Sequence, residues 1–300
     1  MKGSVLIKKE KTFAFFLLLP AFLFLAIFSI YPILYSFFLS FFKLSLWKNI
    51  SVGAFVGFAN YTALLRDKIA LHSFLITFAF VIITTFFEIL FGIVIALVMH
   101  NTFKWRGFIR AAILIPWAIP TVVSSQMWRF IFNDQYGFAN FLLFGAHTDS
   151  YKAWLANPTL AFFSIAAADI WKSSSFAALI ILAGLQIIPE DLYEAAKIDG
   201  ASRWYQFIKI TLPLLKPTIL VALLFRTIDA FRVFDLVFVM TQGGPGDATN
   251  VLQFYGYKKI FAEGFVGYGS TISVIIFLII FCLSLLYIRM LGKTLMEKRL

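Results

Sequence analysis

Cysteine, histidine and charged side chains are all scarce in this chain of 300 residues. It has one cysteine, Cys282, three widely separated histidines, and only 14% charged residues. A single cysteine cannot form an intrachain disulfide, and the histidine spacing fits no metal site. The Gly-x-x-x-x-Gly-Lys-Ser/Thr run that cradles nucleotide phosphates is missing as well. We therefore expect no metal, no cofactor and no bound ATP in this chain.

Apolar side chains are what the sequence has in excess. Hydrophobic residues make up 61% of the chain, and 38 residues are Phe. Soluble domains are about half apolar and about a quarter charged, so the surplus must face lipid. The net charge is +11, but the basic residues lie between apolar stretches. This pattern is typical of membrane topology signals, and we expect no nucleic-acid partner.

Six apolar stretches have the length of membrane spans, which need about 20 residues. They cover residues 13–38, 73–98, 109–132, 160–185, 214–240 and 270–290. Barrel strands would instead alternate over about 10 residues. We expect Pro20 and Pro32 to kink the first stretch, and Pro116 and Pro120 to break the third. The sequence therefore predicts an all-α, polytopic membrane protein with six transmembrane helices.

The distribution of Lys and Arg predicts the orientation of these helices. If the N-terminus is cytoplasmic, every inside segment carries three or four basic residues. The external segments carry four (Lys43, Lys48, Arg66 and Lys68), then one, then two. Both termini are therefore expected in the cytoplasm, although the first external segment is as basic as an inside segment. The first apolar stretch is too long for the core of a cleaved signal, so we expect it to be retained.

The inside segment at residues 188–213 holds the most informative pattern. Pro189 suits the first turn of a helix, and the acidic residues up to Glu194 complement the positive end of the helix dipole. Gly200 suits the position just past a helix end. We therefore predict a short acidic helix that ends at Gly200. The small Ala195 and Ala196 would let another protein's backbone approach closely.

Two further expectations concern this segment. The alternative interpretation is an amphipathic helix that lies on the lipid surface. A short acidic helix is poorly suited to bind anionic lipid. A second helix is predicted to follow the first, and Pro213 and Pro217 are expected to interrupt its entry into the fifth span.

A resemblance to a known family rests on this segment. Its pattern consists of Glu194, Ala195, Ala196, Asp199, Gly200, Ala201, Ile210, Leu212 and Pro213. This resembles the EAA loop of binding-protein-dependent ABC importer permeases, in spacing and in its place before the fifth span. Trp171 and Lys172 with residues 182–186, and residues 241–245, are similar to stretches of sugar permeases of the maltose- and glycerol-3-phosphate-type "first" class.

The resemblance implies a fold, a division of the chain and a set of partners. The fold would be the type I ABC importer transmembrane fold. Residues 1–68 would hold the N-terminal tail, first helix and first external loop; residues 69–291 a five-helix core; and residues 292–300 a cytoplasmic tail. The partners would be a dimer of ATPase subunits, which binds ATP and Mg, a related second permease and an external solute-binding protein. The membrane would be a bacterial or archaeal plasma membrane.

The resemblance also implies an ATPase-coupling site, at the positions of this chain that match the family's motif. Its residues would be Glu194, Ala195, Ala196, Asp199, Gly200, Leu212 and Pro213. Glu194 would make polar contacts with the ATPase, the alanines would fit its cleft, and Gly200 would allow the turn.

Charged residues within the spans are the candidates for the solute path, because intramembrane charges rarely face lipid. Asp169 and Lys172 are three residues apart and can pair on one helix. Arg226 and Asp229 start a series of alternating charge in the fifth span. These four residues could bind solute or could hold helices together. For Glu88 we favour a contact between helices.

Three other functions compete with this interpretation. A secondary transporter would show internal repeats and broken helices at mid-membrane, and the sequence shows no clear repeat. A membrane enzyme would need a nucleophile–base or metal set in the spans, and none appears. A permease of the same type for another solute, such as phosphate, amino acids or glycerol phosphate, would share the fold and coupling loop. The sequence favours uptake of a sugar or oligosaccharide, with this chain as a transport subunit rather than an enzyme.

Overall fold

A computed structural model describes residues 2–46, 53–101 and 104–297. Lys48, which enters the orientation argument, lies outside the described residues, as do residues 298–300 of the expected tail. Fourteen α-helices run through the described residues: α1 Lys2–Leu25, α2 Tyr31–Ser40, α3 Ala59–Arg66, α4 Lys68–His100, α5 Arg106–Ala118, α6 Thr121–Ile131, α7 Phe138–Phe144, α8 Pro158–Leu185, α9 Asp191–Ile198, α10 Arg203–Gln206, α11 Leu212–Phe231, α12 Asp235–Met240, α13 Leu252–Tyr257 and α14 Val266–Glu297. Two short strands, β1 Phe42–Lys43 and β2 Ala54–Phe55, pair antiparallel.

The helical, multi-span character expected from the sequence is confirmed. Five helices of the described chain are long and apolar enough to cross a membrane: Phe15–Ser40, Lys68–His100, Pro158–Leu185, Arg203–Phe231 and Val266–Lys293. The predicted third span is the bent pair Gly107–Ala118 and Thr121–Ile131, whose axes differ by 92°. Its break falls at Pro120, while Pro116 lies inside α5. A proline at the break supplies no backbone N–H, so the helix ladder stops there.

The first span runs through Pro20, and its irregular turn is the π-helical stretch Ala26–Ile30, which ends just before Pro32. Two predicted bounds of the spans are wrong in detail. The fifth helix does not reach residue 240, because it ends at Phe231 and α12 begins separately at Asp235. The last helix continues to Glu297, and so includes the first residues of the expected tail.

The chain divides into two compact units. The first comprises Met1–Arg66 and Gly256–Ile275, and polar contacts to backbone carbonyls organise it. The Asn60 amide nitrogen donates to the carbonyls of Ser40 and Phe42 at 2.8 and 3.0 Å. The Thr271 hydroxyl donates to Ser40 O at 3.3 Å. The bonds to Ser40 O satisfy a carbonyl that the end of α2 leaves without a helical partner.

The second unit comprises Asp67–Tyr255 and Ile276–Leu300 and holds a packed helical core. Small residues let its helices approach closely, as is common in membranes. A Cβ atom built at Gly92 of α4 would lie 2.9 Å from the Ala177 Cβ atom of α8. A Cβ atom built at Gly184 of α8 would lie 2.8 Å from the Thr218 Cβ atom of α11. This close packing brings α4, α8 and α11 together around the charged residues of the candidate site.

The segment between α6 and α8 folds around one buried amide. The Asn140 side chain is fully buried. Its Nδ2 atom donates to the carbonyls of Asn133, Asp134 and Lys152, at 3.0–3.3 Å. Its Oδ1 atom accepts from Lys152 N at 3.0 Å and from Trp154 Nε1 at 2.8 Å. Asn140 thus fixes a long connection that has little regular structure.

Candidate functional site

The predicted short helix of the inside segment is α9, and its end has the predicted form. Gly200 has φ +76°, in the left-handed region that favours glycine. Its N–H donates to Lys197 O at 3.1 Å, and the Ala201 N–H donates to Ala196 O at 2.8 Å. This pair of bonds is the Schellman arrangement that closes a helix. The sequence therefore located the end of α9 correctly.

The residues that we predict for ATPase coupling lie on an open surface. Glu194, Ala195, Asp199 and Gly200 are exposed, and Ala196 is half-buried. Apolar side chains flank them: Ile187 is 81% exposed and Ile198 is 88% exposed. Large apolar side chains presented in this way are suited to bury against another protein. The role of this surface in ATPase coupling stays a prediction.

Leu212 and Pro213 lie in the first turn of α11, where both are exposed. The expectation that Pro213 and Pro217 interrupt the entry into this helix is wrong, because the helix is continuous from Arg203 to Phe231. It passes through a π-helical turn, Phe207–Thr211, in which the Leu212 N–H donates to Phe207 O. The wider turn accommodates a proline that has no N–H to donate.

A cluster of charged side chains joins α4, α8 and α11. The Arg226 guanidinium donates from Nε to Glu88 Oε2 at 2.7 Å and from Nη2 to Glu88 Oε1 at 3.0 Å. Its Nη1 donates to Asp229 Oδ2 at 3.2 Å, and its Nη2 lies 3.8 Å from Asp169 Oδ2. The bidentate geometry is that of a strong charge-assisted pair. The expected contact of Glu88 between helices is confirmed, and three of the four candidate path residues meet here.

Lys172, the fourth candidate, lies elsewhere. The anticipated pairing of Asp169 with Lys172 is wrong, since Asp169 lies beside Arg226 instead. The Lys172 ammonium donates to the carbonyl of Ile119, at the break between α5 and α6. That carbonyl stands where the helix ladder is interrupted, so it needs a donor from outside. Lys172 therefore supports the bend of the third span.

Exposure separates the members of this cluster. Glu88, Asp169 and Arg226 are buried, whereas the Asp229 side chain is 55% exposed. A charged side chain that faces lipid near mid-membrane costs about 2.5–3.5 kcal/mol. We therefore expect the open side of Asp229 to face water or another subunit, rather than lipid.

Three aromatic rings contact one another on the helices that carry the candidate path residues and on α5. The rings of Trp117 and Phe176 are stacked, with centroids 5.6 Å apart and an interplanar angle of 18°. Phe176 meets Phe225 edge-on at 6.3 Å. Trp117 is 49% exposed and Phe225 is 47% exposed. Phe176 lies four residues after Lys172, and Phe225 four residues before Asp229, so each aromatic shares a helix face with a candidate path residue.

Sequence reasoning missed this aromatic trio, formed by Trp117, Phe176 and Phe225. The spacing of Phe176 and Phe225 from the candidate charges was visible, but many Phe residues have a similar setting in so apolar a chain. In the described part of the chain, no group of three or more His, Cys, Asp or Glu side chains is placed to hold a metal ion.

The chain matches a family model described as "Binding-protein-dependent transport system inner membrane component" over residues 88–293. It is 39% identical to the trehalose/maltose transport system permease protein MalF of Thermococcus litoralis, over 94% of each chain. It is 39% identical to the sulfoquinovosyl glycerol transport system permease protein SmoG of Agrobacterium fabrum, over 93% of this chain and 90% of that protein.

Among solved structures, the chain matches one of a bacterial alginate ABC transporter in complex with an alginate pentasaccharide-bound periplasmic protein. The TM-score is 0.80 and the sequence identity 20%, over 93% of each chain. At this identity the likeness concerns the fold, and the type I importer fold expected from the sequence is confirmed.

Proposed function

Because this chain belongs to the family of binding-protein-dependent transport system inner membrane components, we propose that it forms half of the transmembrane path of an ATP-driven sugar or oligosaccharide importer. It acts as a transport subunit and not as an enzyme. The second half of the path belongs to a related permease. A dimer of ATPase subunits, which binds ATP and Mg²⁺, supplies the energy, and an external solute-binding protein delivers the solute. The membrane is a bacterial or archaeal plasma membrane.

The observation that carries the proposal is the open surface of α9. A helix closed by a glycine turn and flanked by the exposed Ile187 and Ile198 is built to fit a groove of another protein. Glu194 makes polar contacts at that groove, while Ala195 and Ala196 allow close approach. Asp199 and Gly200 form the turn. The helix α11, which begins with Leu212 and Pro213, moves when the ATPase moves α9.

This assignment also sets the orientation. An ATPase acts in the cytoplasm, so α9 lies on the cytoplasmic side. With six crossings, in which α5 and α6 count as one, both termini then lie in the cytoplasm as well. The core at residues 69–291 supplies the path, and the segment that precedes it supplies the first helix.

The solute path is lined by the charged cluster and the aromatic trio. Asp229 presents a carboxylate on the open side of the cluster, held in place by Arg226, which Glu88 and Asp169 hold in turn. Carboxylates accept hydrogen bonds from sugar hydroxyls. The open faces of Trp117 and Phe225 suit the apolar C–H faces of sugar rings. Lys172 stabilises the bend between α5 and α6, close to Trp117 in sequence.

A sugar is the solute class supported by the relatives, whose names refer to trehalose, maltose and sulfoquinovosyl glycerol. The alternative is a phosphorylated solute such as glycerol phosphate. Purified transporter with its partner subunits and binding protein, in proteoliposomes, separates the two. Maltose or trehalose should stimulate ATP hydrolysis, whereas glycerol 3-phosphate should not. Stimulation by glycerol 3-phosphate alone would overturn the sugar assignment.

A further inference from the structure

Tyr193 in α9 and Thr211, the residue before α11, are joined by a hydrogen bond that the function proposed above does not use. The Tyr193 hydroxyl lies 2.9 Å from Thr211 Oγ1. We propose that this bond is the positioning contact through which movement of α9 passes to α11. The inference rests on the proposed function, because it assumes that an ATPase moves α9.

The first support is the weak attachment of α9. None of its residues is buried. Among the residues that the structure describes, the bond from Tyr193 to Thr211 is the one side-chain hydrogen bond between α9 and another element. A short helix with so little packing shifts at low cost. Whether α11 follows such a shift therefore depends on this contact and on the covalent connection.

The second support is the connection itself, which contains a turn with φ +76° at Gly200. Gly200 is the residue of the connection whose backbone dihedral angles have the widest allowed range, so the connection deforms most easily there. The buried Gln206 side chain steadies only the far half of the connection, by donating from Nε2 to Ala201 O at 3.0 Å. The side-chain bond from Tyr193 bypasses Gly200 and reaches the membrane helix directly.

The third support is the place where the bond arrives. Thr211 is 4% exposed and ends the π-helical turn Phe207–Thr211. Its hydroxyl also lies 3.4 Å from the carbonyl oxygen of Gln206, the residue just before that turn. Single π-turns are frequent at functional sites. A pull on Thr211 therefore acts on a turn whose ladder is already irregular.

The fourth support is what lies at the other end of the same helix. Arg226 is fifteen residues beyond Thr211, or about 22 Å at 1.5 Å per residue. It binds Glu88 of α4 and lies beside Asp169 of α8. A displacement that enters at Thr211 thus reaches the cluster that ties three helices together. Tyr193 and Thr211 are therefore positioning residues, and neither needs to touch the solute.

Four variants isolate the hydrogen bond. Tyr193→Phe removes one hydroxyl and keeps the ring. Thr211→Val removes the partner hydroxyl at similar volume, and Thr211→Ser keeps it. Tyr205→Phe is the matched control: its side chain is 55% exposed, and it is the backbone N–H of Tyr205 that bonds to Ser202 Oγ.

The experiment is hydrogen–deuterium exchange of the assembled transporter in lipid nanodiscs, with and without ATP and vanadate. In the unmodified protein, nucleotide should change the exchange of amides in both α9 and the first half of α11. In Tyr193→Phe and in Thr211→Val, α9 should still respond and α11 should lose most of its response. Thr211→Ser and Tyr205→Phe should respond like the unmodified protein.

Two results would overturn the inference, and they are distinguishable. If α11 responds equally in Tyr193→Phe, in Thr211→Val and in the unmodified protein, the hydrogen bond carries no movement, although the importer assignment stands. If neither helix of the unmodified transporter responds to nucleotide, α9 is not moved by an ATPase, and the proposed function fails together with the inference.

Discussion

Arg226 in α11 binds both carboxylate oxygens of Glu88 in α4, at 2.7 and 3.0 Å, across 138 residues of sequence. Glu88 is fully buried and Arg226 is 5% exposed. Within a membrane neither charge could be buried alone without a large cost. The pair therefore fixes the arrangement of α4 and α11, and with Asp169 it also includes α8.

Removal of the guanidinium should destabilise the protein strongly. Arg226→Met leaves Glu88 and Asp169 buried without a cation, and breaking a buried pair costs about 3–5 kcal/mol. The free energy of unfolding in denaturing detergent should fall by that amount. Combining Glu88→Leu with Arg226→Met should recover part of the loss. Arg129→Met, which removes an exposed donor to Val239 O, is the control; a loss for Arg226→Met no larger than for this control would contradict the prediction.

The turn at Gly200 should be essential for transport but not for membrane insertion. Gly200→Asp places a charged side chain on the docking surface, at a φ of +76° that Asp tolerates better than most L-residues. The added bulk and charge, rather than backbone strain, should therefore prevent docking. Uptake should be abolished while the amount in the membrane stays normal.

The control for Gly200→Asp is Gly57→Asp. Gly57 also has positive φ, +54°, and open space around it, but it lies outside the coupling segment. Equal uptake by the two variants would count against a special role for Gly200.

The aromatic trio should set the affinity for saccharide. Trp117→Ala and Phe225→Ala each remove an open aromatic face, and such contacts contribute about 0.5–1.5 kcal/mol beyond burial. The saccharide concentration that gives half-maximal stimulation of ATP hydrolysis should rise about threefold to tenfold. Phe163→Ala, at another exposed Phe of α8, should leave it unchanged. The trio is not part of the path if Trp117→Ala and Phe225→Ala both match the unmodified transporter.

The connection between α6 and α8 should loosen when Asn140 is replaced. Asn140→Ala leaves Lys152 N and Trp154 Nε1 without their acceptor, and each buried unsatisfied group costs about 1–3 kcal/mol. Amide exchange in residues 133–157 should accelerate. Asn140→Asp keeps the acceptor oxygen and loses the donor N–H groups. Its amide exchange rate should therefore lie between those of Asn140→Ala and the unmodified protein. Exchange identical to that of the unmodified protein in Asn140→Ala would show that the amide does not hold this connection.

The sequence predicted features that depend on local chemistry. The apolar stretches located the membrane helices, because the length of a hydrocarbon crossing is fixed. The end of α9 was predictable from Gly200, since only glycine adopts positive φ at little cost. The break of the third span was predictable from Pro120, which cannot donate a ladder hydrogen bond.

Features that depend on packing between distant elements could not be predicted. The sequence showed that Arg226 and Glu88 are charged, but not that they meet, because their distance depends on how α4 and α11 pack. Asp169 was expected beside Lys172 from their spacing on one helix, yet Arg226 on another helix is its neighbour. Phe176 and Phe225 could not be selected among 38 Phe residues. The continuity of the fifth helix through Pro213 depends on a π-turn, for which no local signal was recognised.

The most direct test of the importer assignment is co-purification of a tagged form of this chain from its native host in mild detergent. We expect an ATPase subunit and a second permease to accompany it, with ATP hydrolysis in the purified fraction. Purification of the chain alone in several mild detergents, with no ATPase activity, would contradict it. The surface of α9 would then have no partner, and a secondary transporter would become the better explanation.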